Sequence, residues 1–393
     1  MFVSLTCLGM GQSLLLSILP PLSRELAMQE WQVGAVFALS AILWIVASPF
    51  WGRRSDRIGR KPVILIGLAG YTVSMVLLAI VIQAGINGAL VLAVAFPLMV
   101  VTRAIFGMFG SGTFPASQAY VADRTTRRER TSALSTIGAA FGVGIIVGPG
   151  IGALLVDLGA LAPLYVVAGL AFCSAIACWF MLPERTPPRG KRMPPRVRTW
   201  DRRIRPFVIA SILMVTCQAG TMQSVGFYMI DLLEYGADQA VRQVGLGLTV
   251  SAAAALVVQL FIVQRFQPSP RVLLYGGAGI SLVCFVLFAL SNSYLPIMLA
   301  LVILGFGHGM LRPGIAAAGS LAVNPDEQGS AAGIINGIGA SGHVIGAFVT
   351  LPLYEVWLRA PYVLNGVLMA LLLAYILIHP QVRAVTVARR RTE

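Results

Sequence analysis

Apolar runs of about twenty residues alternate along the chain with short polar stretches rich in Arg, Gly and Pro. At 1.5 Å per residue, a run of that length covers the roughly 30 Å hydrocarbon core of a bilayer. Twelve can be placed: 2–22, 33–51, 63–83, 90–112, 132–156 and 162–182, then 207–230, 244–264, 272–291, 295–318, 330–354 and 362–378. Each predicts a membrane-crossing α-helix, because backbone polar groups in hydrocarbon must satisfy one another within the segment.

The polar stretches alternate in charge as such a topology requires. Of the 29 Lys and Arg, one set of loops holds five in 53–61, four in 124–130, nine in 185–205, and Arg265 and Arg271. The C-terminal tail adds four to that side, whereas the opposite side holds only Arg24, Arg242 and Arg359. Basic loops stay on the cytoplasmic face, so both termini are expected inside. Arg103 and Arg312 remain, and both fall within spans. The stretch 183–205 is too polar to cross and too rich in proline for a stable helix. It reads as a linker touching anionic headgroups, between a bundle at 1–182 and a second at 206–380, with a tail at 381–393. The first charged residue is Arg24, so the opening segment is expected to be the first span and not a secretory signal with a basic leader.

Composition excludes other classes. Charged residues make up 11 % of the chain, against about 25 % in soluble domains. The net charge of +14 sits in short loops without an aromatic-rich groove, which argues against nucleic acid as a partner. All five cysteines lie in apolar spans and no C-x-x-C pair occurs, so neither a disulfide framework nor a metal site is supported. Gly305-Phe-Gly-His-Gly309 lies inside a span with no strand before it and no Gly-Lys-Ser after it, and does not make a phosphate loop. No cofactor and no enzyme chemistry is expected.

The two halves repeat. Subtracting 198 places Pro313 on Pro115, Gly305 on Gly107, Glu327 on Glu129, Ser330 on Ser132, Gly342 on Gly144 and Gly346 on Gly148. An earlier block aligns at an offset of 209, with Gly276 on Gly67 and Gly279 on Gly70. The expected fold class is therefore all-α integral membrane, twelve helices in two pseudo-symmetric six-helix bundles, with a site at their interface near the midplane.

Three local patterns carry chemistry. Gly52-Arg-Arg-Ser-Asp56-Arg57-Ile-Gly59-Arg60-Lys61 is a charged decapeptide between the second and third spans. Gly138-Ala-Ala-Phe-Gly-Val-Gly144-Ile-Ile-Val-Gly148-Pro149-Gly-Ile-Gly152 fills the fifth span with small residues that let backbones approach, and Pro149 bends it. Arg103 with Gly107 lies in the fourth span, where a charge costs at least about 2.5–3.5 kcal/mol and calls for a polar cavity or partner. Together these resemble the twelve-helix drug:proton antiporter branch of the major facilitator superfamily, which includes tetracycline efflux proteins. The resemblance implies that Asp56 caps the eleventh helix near Gly329-Ser330. It further implies that Arg57 pairs with Asp123, and that Gly52, Gly59, Arg60 and Lys61 complete a conformational latch. The glycine run then matches the antiporter motif, and Arg103 a residue implicated in proton transfer. Each pattern also has a plainer reading: a basic loop that sets topology, generic small-residue packing, and an Arg bonded to backbone carbonyls.

The departures from that family pattern matter as much. The first span carries Gln12 at its polar point and no acid before Glu25, and no Asp or Glu lies at mid-span. A proton carrier would have to be Asp231, His308, His343 or Asp123. The resemblance places the first, fourth, seventh and tenth helices around the cavity, making Gln12, Arg103, Gln218, Gln223, Tyr228 and His308 the lining candidates. His308 and Arg312 share one helical face, although a structural role suits a lone membrane histidine as well. Arg103 and Arg312 without a central carboxylate point to neutral or anionic cargo. The expected function is proton-coupled efflux of small amphipathic compounds by a monomer in a prokaryotic cytoplasmic membrane, with a bilayer and protons as partners. A facilitator or importer of a metabolite or siderophore-like anion, a lipid transporter and a membrane scaffold are the alternatives.

Overall fold

The computed structural model describes residues 1–125, 130–183, 197–324 and 327–387. The interior of the linker, Glu129 and the end of the tail fall outside these residues. The described chain holds 12 helices long and apolar enough to cross a membrane. We label them α1 (Phe2–Glu25), α2 (Glu30–Ile58), α3 (Arg60–Ile86), α4 (Leu92–Ala122), α5 (Arg130–Leu155) and α6 (Ala162–Met181). The rest are α7 (Arg205–Leu233), α8 (Ala237–Phe266), α9 (Pro270–Leu290), α10 (Tyr294–Leu321), α11 (Gln328–Val356) and α12 (Ala360–Ile378). The chain is all-helical, with twelve transmembrane helices.

Two boundaries depart from the hydropathy pattern. The charged decapeptide is not a loop: α2 continues through Gly52 to Ile58, and α3 begins at Arg60. Gly59 alone joins them at φ +99°, a left-handed value that a residue with Cβ adopts at a cost. Secondly, α4 widens to π-type winding at Phe106–Gly110, and α8 does so at Val258–Val263. Such bulges add a residue to one turn and are frequent at functional sites.

Helices pack through small residues. A methyl group on Gly144 of α5 would strike the Thr6 carbonyl of α1. The equivalent Gly342 of α11 would put one 2.6 Å from the Thr216 amide nitrogen of α7. Gly107 of α4 lies against the Ser40 carbonyl of α2, and Gly305 of α10 against the Ser251 carbonyl of α8. Ser74 of α3 donates to the Thr102 carbonyl of α4 at 2.5 Å, and Cys284 of α9 donates to the Ala300 carbonyl of α10 at 3.1 Å. The internal repeat is thus carried by paired atomic contacts, not only by matching letters.

The chain divides into two compact units. Unit 1 contains Met1–Lys191 with Glu234–Thr249, and unit 2 contains Arg192–Leu233 with Val250–Glu393. Within unit 1 the first half of α8 meets the proline of the glycine run: a methyl on Gly245 would lie 2.5 Å from the Pro149 carbonyl oxygen. Arg242 pairs with Asp157 at the end of the same contact. Gly148 abuts Met10 and Ser13, and Gly152 abuts Leu14, both on α1.

Candidate functional site

On the basic side of unit 1 a three-part cluster is built around Arg60. Its position at the start of α3, one residue past the Gly59 turn, directs it back toward the last turn of α2. Nη2 lies 2.5 Å from the Asp56 carboxylate, Nη1 donates to Ser55 Oγ at 2.6 Å, and Nε donates to Asp123 at 3.2 Å. The pair expected between Arg57 and Asp123 is therefore made by Arg60. Helical winding to Ile58 carries Arg57 onto an exposed face. Lys61 lies with Nζ 5.9 Å from the Trp179 ring centre of α6, and Gly52 faces open space. Next to Asp123, Tyr120 and Arg124 both donate to the Pro183 carbonyl, at 3.1 and 2.7 Å, tying the end of α4 to that of α6.

Deeper in unit 1, Arg103 is 2 % exposed. Its guanidinium carbon sits 4.4 Å from the centre of the Phe106 ring, which also packs edge-on against Tyr71. Nε and Nη1 have no hydrogen-bond partner among the described residues. Those two nitrogens do not fit an Arg held by backbone carbonyls. A desolvated cation–π contact is worth about 2 kcal/mol, which offsets part of the cost of the buried charge. The π-type turn starting at Phe106 sets this ring over the charge. Gln12 is half-buried on α1.

Unit 2 holds the other candidates. Gln218 is half-buried on α7, while Gln223 is buried with Oε1 unpartnered. Tyr228 is fully enclosed. Its hydroxyl lies 3.1 Å from the carbonyls of Phe288 and Ser291, so it braces α7 against the end of α9. Asp231, near the end of α7, accepts from the Tyr354 hydroxyl at 2.9 Å. His308 on α10 is buried with Nε2 unpartnered, Arg312 one turn on is exposed, and His343 is half-buried on α11.

A second arginine cluster was missed in the sequence. Arg203, just before α7, is bidentate to Glu327, with N–O distances of 2.8 and 3.0 Å, and also pairs with Asp201 at 2.9 Å. The Val197 amide donates to Ser330 Oγ at 3.0 Å, so three hydrogen bonds fasten the end of the linker to the start of α11. The Arg203 hydrogen bonds hold both carboxyls below the usual carboxylate range, and the two carboxylates in turn raise the guanidinium. A span of 124 residues separates Arg203 from Glu327, and no local motif marks the pair.

Residues 1–347 match the family profile described as the Major Facilitator Superfamily. The chain belongs to the major facilitator superfamily. It is a multi-pass membrane transporter and not an enzyme. Two curated members of similar length align along nearly all of it. Multidrug resistance protein 1 of Bacillus subtilis (strain 168) is 25% identical over 366 residues, covering 92% of this chain and 90% of that one. Quinolone resistance protein NorA of Staphylococcus aureus (strain MSSA476) is 24% identical over 380 residues, covering 94% and 93%. Among solved structures, the nucleoside transporter NupG matches with a TM-score of 0.74 at 15% identity over 96% of this chain and 98% of that one. A bacterial homolog of the human lysosomal transporter Spinster, inward-facing and occupied, matches with a TM-score of 0.69 at 13% identity, over 100% and 95%. At those identities the structures establish the superfamily fold alone.

Proposed function

We propose that this member of the superfamily is a secondary exporter that moves small amphipathic molecules out of the cell in exchange for protons. The observation that carries the reading is end-to-end alignment with two proteins named for multidrug and quinolone resistance. Arg103, buried with two unpartnered nitrogens and no carboxylate at mid-span, favours neutral or anionic cargo. In this reading two six-helix bundles, 1–182 and 206–380, rock about the linker 183–205 in a cell membrane, with both termini cytoplasmic and one chain as the working unit. The Arg60 cluster, with Asp56 and Asp123, serves as the cytoplasmic latch. One proton crossing 100 mV is worth about 2.3 kcal/mol, enough for roughly a 40-fold gradient. Asp231, His308, His343 and Asp123 are the groups able to carry it.

The test is proton movement in everted vesicles from an efflux-deficient host. Adding a transported amphipathic compound should dissipate an imposed pH gradient, and collapsing that gradient should stop accumulation. Equilibration without accumulation, unaffected by the gradient, would favour the facilitator reading, which the absence of a mid-span carboxylate also suits.

A further inference from the structure

Unit 2 contains a cluster of basic side chains that the exchange of protons does not by itself require. His308 and Arg312 stand four residues apart on α10, hence on one face of that helix. His343 is the third residue of the second half of α11, which starts at Ser341 after the break at Ala340, and the first half of α11 packs on α10 through Ile335 and Gly319. Arg312 is the charged group that bears electrostatically on both histidines. The described carboxylates of unit 2 lie elsewhere. Asp201 and Glu327 are bound to Arg203 at the basic end, and Asp231 and Glu355 stand in the last turns of α7 and α11.

Two features give this cluster unmet polar capacity. His308 is 93 % buried, and its Nε2 has no hydrogen-bond partner. An imidazole nitrogen in that position is a donor awaiting an acceptor or an acceptor awaiting a donor. The guanidinium beside it supplies donors only, and is surplus to the charge around it. Arg312 keeps an open face despite its place within a membrane span, and a guanidinium opens to a polar space there, not to lipid tails. A neighbourhood of this kind is completed by an acceptor that carries negative charge.

We infer that Arg312, flanked by His308 and His343, forms a subsite for the anionic group of a cargo molecule, a carboxylate or its equivalent. Arg312 supplies the charge and a planar pair of donors, and the histidines supply directional hydrogen bonds that fix the head of the ligand. This assignment deepens the export reading and rests on it for the identity of the ligand as cargo.

The test uses the full chain in lipid nanodiscs and two probes of nearly equal shape, 1-naphthaleneacetate and its neutral amide. A charge-assisted pair is expected to make the acid bind about tenfold or more tighter than the amide. Arg312→Gln should bring that ratio to near one. Arg312→Lys, which keeps the charge but loses the fork, should retain part of it and serves as a second variant if the first folds poorly. His343→Asn should lower the ratio by a factor of about two to five. A wild-type ratio at or below one, or an unchanged ratio in Arg312→Gln, would overturn the subsite. Outward movement of the amide by wild-type protein in everted vesicles is scored separately. Its failure would remove the export reading while the binding ratio still judges the subsite.

Discussion

Arg60 and Arg57 stand three positions apart in one basic run, yet the structure gives them different tasks. Arg60 side-chain exposure is 13% and that of Asp123 is 22%, so their pair is largely withdrawn from water. Removing Arg60 leaves Asp123 unpaired in that setting and also frees Asp56. Arg60→Ala is therefore expected to cost about 1–3 kcal/mol. Arg57 sits on an exposed face, where a substitution is worth about 0.5 kcal/mol or less. Thermal unfolding of both variants in the same detergent checks the contrast, and equal losses would return the latch to Arg57. The sequence made the composition of this cluster legible, but not its pairing, which depends on how far α2 winds before Gly59 turns it. Tyr228 shows the same limit. Its position on α7 was readable, while the carbonyls left open at the end of α9 that claim its hydroxyl were not.

At the scale of elements, hydropathy located all twelve helices because twenty apolar residues have few alternatives in a membrane. It could not locate what holds their ends. Charged residues lower hydropathy whether they lie in a loop or in the last two turns of a helix, and so α2 appeared shorter than it is. The π-type turn under Arg103 has no hydropathy signature either. The join between the linker and α11 is the clearest example, since its partners are joined only by folding. Its pH dependence follows from the sign of the shifts. Arg203 lowers Asp201 and Glu327 in the folded protein, so the unfolded chain binds protons more readily in acid. The cluster contributes fully above the ordinary carboxylate pKa of about 4 and is lost as pH falls through the lower folded values. A spin-label pair on Thr199 and Gly329, in a cysteine-depleted background, should hold one distance at pH 7 and broaden below about pH 4. Arg203→Gln should be broad already at pH 7. A distribution unchanged by either treatment would mean that the Val197 bond to Ser330 suffices alone.

Over the whole molecule, the repeat explains where the halves agree and where they differ. Gly107 and Gly305 do the same work at equivalent places, and the equivalent carbonyls of Thr102 and Ala300 each accept from the neighbouring helix, from Ser74 and Cys284, because close helix packing in each half demands it. Each unit also has an arginine between two carboxylates on its basic side, but from different sequence positions: Arg60 with Asp56 and Asp123, Arg203 with Asp201 and Glu327. The second-half loop at 265–271 has no acid, so the letters suggested one cluster where the fold has two. Polar residues inside the spans obey no such packing demand, and there the halves diverge most. Arg103 is the sharpest case. A buried charge with two unpartnered nitrogens burdens the fold by about 2.5–3.5 kcal/mol, less about 2 kcal/mol from the Phe106 ring. If it served packing alone, an apolar residue would do better. Arg103→Leu is accordingly expected to melt at the same temperature as wild type or higher, to reach the membrane at normal levels, and to lose efflux. The two readouts must be taken on one preparation, since a poorly folded variant also fails to transport. A clear drop in melting temperature would identify Arg103 as a structural post, and retained efflux would remove it from the transport pathway.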